Sequence, residues 1–79
     1  MATYRSVVYV QYKSGSKASG IKVQLGFSGL LSGGMTSSYY TDSSGRAIVE
    51  HSSRGTATVY VKGSKRGTFQ APGETVVFI

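Results

Sequence analysis

Residues 20–27 read GIKVQLGF, with Ile21, Val23, Leu25 and Phe27 on one side of an extended chain and Lys22, Gln24 and Gly26 on the other. Successive side chains of a strand point to opposite faces, so a sustained period of two marks a half-buried β-strand. Residues 56–62, TATVYVK, repeat the pattern: Ala57, Val59 and Val61 turn inward, and Thr58, Tyr60 and Lys62 turn outward. Four further runs rich in β-branched or aromatic residues read as strands: 6–13, 46–51, 67–70 and 74–79. Eleven glycines and six tyrosines weigh against helix and suit strands joined by tight turns. The expected fold is all-β, a small antiparallel, Greek-key-like sandwich of about seven strands. Its expected core holds Ile21, Val23, Leu25, Val59, Val61 and Phe78.

The connectors are short and carry turn chemistry. KSGSKASG (13–20) is a polar loop, and SSRG (52–55), GSKRG (63–67) and APGE (71–74) are of hairpin length. In the last, Pro72 suits the first central position of a type II turn and Gly73 the positive-φ second. The exception is SGLLSGGMTSS (28–38), a long loop whose Leu30, Leu31 and Met35 are expected to cap one end of the core.

Seventy-nine residues make one domain, spanning 1–79. A start and a finish inside strand-like runs fit excision from a longer chain. There is no cysteine, hence no disulfide and no Cys-based zinc site. This fits a cytoplasmic protein if the chain is full length, or a bacterial extracellular or cell-surface module if it is excised. No run approaches the 18 or so apolar residues of a membrane helix, so no membrane span is expected.

From Val10 the chain runs VQYKSGSKASGIKVQL, followed by TDSSGRA (41–47) and GTATVYVKG (55–63). These three stretches, in this order, resemble the carboxypeptidase regulatory-like domains, transthyretin-like β-sandwiches. Val10, Gly15, Gly20, Ile21, Val23 and Leu25 fall in step with the family's opening strand, turn and Gly-Val-x-Val-x-Leu pattern. Residues 41–47 are similar to its Thr-Asp-x-x-Gly-Arg-Phe turn. Four positions depart: Tyr12 stands for the usual aspartate, Lys17 for proline, Ala18 for leucine and Ala47 for a large aromatic. The resemblance implies a non-catalytic accessory or interaction module. It also implies that Asp42 and Gly45 are turn residues, Asp42 accepting backbone N–H groups and Gly45 taking positive φ. The related B-type adhesin repeats carry a lysine crosslink. With no asparagine in the chain and no aspartate in its last strand, none is expected here.

Site chemistry is sparse. Three acidic residues, Asp42, Glu50 and Glu74, supply neither a calcium loop nor a paired-carboxylate site. His51 is the single histidine, expected at a surface strand end. Its neighbours Ser52 and Glu50 would point to the face opposite its own, which argues against a triad. No catalytic residue, cofactor or metal is therefore expected.

Nine lysines and arginines against three acids give a net charge of +6. An anionic polymer is the partner this favours, with another protein domain the alternative. The cations crowd at Lys62, Lys65 and Arg66, expected on a hairpin tip, and Arg46 joins them if its strand lies beside residues 56–62. Tyr39, Tyr40 and Tyr60 could stack on bases or, in a carbohydrate-binding alternative, on sugar rings.

Overall fold

A computed structural model of the chain describes residues 3–27 and 34–79. Within them lie eight strands and no helix: β1 (Tyr4–Gln11), β2 (Lys22–Phe27), β3 (Gly34–Met35), β4 (Tyr39–Tyr40), β5 (Arg46–His51), β6 (Gly55–Val61), β7 (Ser64–Ala71) and β8 (Glu74–Phe78). They form a β-sandwich. One sheet has the order β5-β1-β8 and the other β3-β2-β6-β7, with β4 also pairing β2. β3 and β4 meet opposite ends of β2, at Gly26–Phe27 and at Lys22–Val23, so together they act as one interrupted edge strand.

The alternating runs drive the packing. Val23 and Leu25 of β2 and Ala57, Val59 and Val61 of β6 fill the inner side of the larger sheet, with Val23 opposite Val61 and Leu25 opposite Val59. Val8 and Val10 of β1, Ala47 and Val49 of β5 and Val77 of β8 fill the inner side of the smaller one. Each pair of sheet faces thus presents apolar side chains inward and polar ones outward, as in other sandwiches.

The last strand corrects the expected core and pairing. β8 lies parallel to β1, with Val10 opposite Val77 and Gln11 opposite Phe78. That register turns Val77 inward and leaves Phe78 about half exposed, at 52%. The segment APGE is not a hairpin, because β7 and β8 belong to different sheets. Gly73 does not take positive φ, so the expected type II turn is absent and the segment is a corner between the two sheets. Gly73 N–H instead donates to Ser6 Oγ at 3.2 Å, and its carbonyl accepts from Val7 N–H at 2.9 Å.

The hairpin between β6 and β7 is also displaced. Its two-residue loop is Lys62–Gly63, at φ 53° and 84°, closed by the pair Val61 and Ser64. Two consecutive positive φ values are the type I′ geometry that matches strand twist. Lys65 and Arg66 therefore lie in β7 and not on the tip. Between Val59 and Tyr60 the register shifts, leaving Arg66 as the extra residue of a β-bulge.

The turn at 42–45 matches its reading. Asp42 Oδ1 accepts the N–H groups of Ser44 at 2.8 Å and Arg46 at 3.0 Å, and Gly45 holds φ 74°. The Arg46 N–H most strongly, with the Ser44 N–H and the Arg46 guanidinium, lowers the Asp42 carboxyl below its ordinary 3.8.

Thr41, just before that turn, is buried and ties two loops together. Its hydroxyl donates to the Ala18 carbonyl at 2.6 Å and accepts from the Ile21 N–H at 2.9 Å. Thr41→Val keeps the shape but orphans a buried donor and a buried acceptor. We expect a loss of about 1–3 kcal/mol in urea denaturation; an unchanged midpoint would show that water replaces the hydroxyl.

Of the long loop, only 34–38 lie within the described residues. Met35 is exposed at 54% and so does not cap the core. Thr36 does bind the edge of β2: its N–H donates to the Leu25 carbonyl at 2.9 Å and its Oγ1 accepts the Leu25 N–H at 3.1 Å. The expected capping by Leu30 and Leu31 lies outside the described residues.

Candidate functional site: a basic face on the larger sheet

The outer side of the larger sheet follows from its strand phases. With Val23, Leu25, Val59 and Val61 inward, β2 turns out Lys22 and Gln24, and β6 turns out Thr58 and Tyr60. Tyr40 of β4 is opposite Lys22, and Lys65 of β7 is opposite Tyr60. Lys62, in the hairpin loop, donates its N–H to the Lys22 carbonyl at 3.1 Å, which fixes it beside β2. Tyr40, Lys22, Lys62, Tyr60, Lys65 and Arg66 thus occupy four adjacent strand positions, a width of roughly 15 Å.

Tyr60 is held by a glycine. A Cβ at Gly26 would come within 2.8 Å of the Tyr60 ring, so the ring fills the space a side chain there would take. Tyr40 is 63% exposed. One tyrosine is therefore fixed against the sheet and the other is open to a partner.

No acid lies on β2, β3, β4, β6 or β7. Among the described residues both ion pairs lie elsewhere: Arg5 with Glu50 at 3.3 Å and Arg46 with Asp42 at 3.6 Å. Lys22, Lys62, Lys65 and Arg66 are left as a single-sign group, which raises the local potential toward anions.

Two of the sequence-derived site residues do not join this face. Arg46 begins β5, which pairs β1 in the other sheet, so it stands opposite Tyr9 and not beside β6. Tyr39 is opposite Val23, packs against the core, and donates its hydroxyl to the Glu50 carbonyl at 3.3 Å. Tyr39 is therefore partly buried, whereas Tyr40 is exposed. Lys22 is the addition. Its outward phase was readable in GIKVQLGF, but its place between Tyr40 and Lys62 depends on strand pairing.

His51 also differs from expectation. It is buried, in phase with Ala47 and Val49. Its Nδ1 lies 2.6 Å from the Ser53 carbonyl, which can only accept, so Nδ1 carries a proton. In the neutral ring Nε2 then accepts from Ser6 Oγ at 2.7 Å. The direction of these bonds is that of an activated serine, with a carbonyl where a triad has a carboxylate. Ser6, however, is fully buried and its oxygen also receives the Gly73 N–H. An open cleft of about 380 Å³ beside His51 is lined by Phe27, Met35, Thr36 and Glu50 among others, but Ser6 does not reach it. The pair works as an internal tie between β1, β5 and the Pro72 corner. The ring itself packs against Phe27 and Tyr4, at centroid distances of 5.1 and 6.0 Å.

Among the described residues no three metal-ligating side chains gather, and no helix is long and apolar enough to cross a membrane. Comparison with protein-family models, with curated proteins and with solved structures gives no match.

Proposed function

We propose that this chain is a non-catalytic binding module of the carboxypeptidase regulatory-like type, and that the outer face of its larger sheet holds an anionic polymer. The observation that carries this reading is the segregation of charge. Lys22, Lys62, Lys65 and Arg66 share one face with Tyr40 and Tyr60, while Asp42, Glu50 and Glu74 all lie off it. Phosphates or carboxylates spaced along an extended strand would meet the cations, and an unstacked base would meet Tyr40. The buried position of Ser6 supports the non-catalytic part, since its hydroxyl has no route to a substrate.

Binding of single-stranded DNA and of heparin, measured at low and moderate salt, tests the reading. Lys65→Ser/Arg66→Ser should weaken binding to either polymer. For DNA the salt slope should shrink by roughly 0.7 for each phosphate no longer neutralised. Lys13→Ser/Lys17→Ser, which removes equal charge from the 13–20 loop, should change it much less. Equal losses from both double variants would reduce the effect to net charge. Binding of either polymer that ignores salt would contradict the charge-based reading.

A further inference from the structure

The smaller sheet has an outer face of a different character. β1 turns out Arg5, Val7, Tyr9 and Gln11, β5 turns out Arg46, Ile48 and Glu50, and β8 turns out Glu74, Val76 and Phe78. The register sets them in a grid: Ile48, Val7 and Glu74 form one row, and Arg46, Tyr9 and Val76 the next. An apolar stripe therefore runs diagonally from Ile48 through Val7 and Tyr9 to Val76 and Phe78. Ile48, Val76 and Phe78 are about half exposed, at 45%, 49% and 52%. Such a contiguous stripe is an interaction surface far more often than scattered surface apolar residues are.

We propose that this stripe is the interface of a weak homodimer, related by a twofold axis that lies along it. The charges at its sides select a second copy as the occupant. Arg46 and Glu74 flank the stripe on opposite sides, two strands and one row apart, roughly 12 Å. Among the described residues no ion pair joins them within one molecule, and the 3.6 Å approach to Asp42 occupies only part of the Arg46 guanidinium. Rotation about the stripe exchanges the two sides, so Arg46 of each copy faces Glu74 of the other, while apolar residues meet apolar residues.

Net charge points the same way. Arg5 and Arg46 balance Glu50 and Glu74 on this face, so two copies approach it without the repulsion that their larger sheets would meet. In an isologous interface every favourable pair occurs twice. A three-stranded face this size buries on the order of 900 Å² in total, at the low end for specific association, and so implies a weak dimer. The basic faces of the two copies then point away from one another.

Equilibrium sedimentation of the 79-residue chain, from about 5 μM to about 1 mM, reads this directly; the expected dissociation constant is on the order of 100 μM. Val76→Asp and Ile48→Asp should each raise it at least about tenfold, with the melting temperature of the dilute protein unchanged. Glu74→Arg should weaken the dimer comparably, by facing Arg46 with a like charge, and Glu74→Arg/Arg46→Glu should restore it. A parent chain still monomeric at the highest concentration would overturn the proposal. So would Val76→Asp associating like the parent, or a double exchange that recovers nothing while remaining folded.

Discussion

Gly45→Ala should destabilise the protein far more than Gly20→Ala, although the two glycines have nearly the same backbone conformation. Their φ values are 74° and 68°. An L-residue in this left-handed region costs about 1–2 kcal/mol, and that cost is common to both. The surroundings differ. A Cβ at Gly20 meets nothing within 4 Å, whereas one at Gly45 falls 2.6 Å from the Val10 carbonyl oxygen and 3.3 Å from the Ala18 N–H nitrogen. Those atoms are bonded to each other at 3.0 Å, and the Gly45 carbonyl accepts from Val10 N–H at 2.7 Å. Relief therefore requires moving hydrogen-bonded backbone at Val10, near the C-terminal end of β1. We expect Gly45→Ala to cost at least about 2 kcal/mol more than Gly20→Ala, in a domain of this size stable by roughly 4–12 kcal/mol. Urea denaturation of the two variants checks it. Equal losses would mean that the turn yields freely and that β1 is not pinned through it.

Leu25→Ala should be the most damaging truncation in the core. Leu25 is the largest of the fully buried side chains and has no solvent exposure. It sits at the centre of β2, opposite Val59, with its backbone held by Thr36 on the other edge. The neighbours are mostly valines on fixed strands, which cannot reach in to fill the void. Removing a buried leucine in such a setting costs about 2–5 kcal/mol. The urea midpoint should fall with little change in slope. A midpoint within error of the parent would place the inward phase of β2 one residue off.

The alternating strands were readable because their pattern is complete. In residues 20–27 and 56–62 every second position is apolar, which sets both the strand and its inner face. The 41–47 turn was equally plain, since Asp42 and Gly45 act within four residues of each other. The last strand was not, because VVFI contains no alternation; the choice of Val77 over Phe78 comes from parallel pairing with β1. The β6–β7 turn was ambiguous for a related reason. Gly63 and Gly67 both offer a turn, and only the pairing of Val61 with Ser64 decides for Gly63. Arg46 illustrates a longer-range limit. Sequential strands usually neighbour one another, yet β5 crosses to the other sheet, and its charge leaves the basic face with it. His51 and Ser6 could have been found: each continues the inward phase of two valines or alanines on its own strand, so each should be buried and need a partner.

Of the face itself, Lys62, Lys65, Arg66, Tyr40 and Tyr60 were visible as residues, while Lys22 and the grouping of all six emerge from sheet order. Backbone amide NMR during titration with a short single-stranded oligonucleotide at low salt tests that grouping most directly. The larger sheet should respond, with shifts at Lys22, Gln24, Tyr40, Tyr60, Lys62, Lys65 and Arg66 that reverse on adding salt. The amides of Arg5, Ile48, Glu74 and Val76 on the opposite face should stay in place. Shifts concentrated on that opposite face, or none at any oligonucleotide concentration, would contradict the assignment of the basic face as the binding surface.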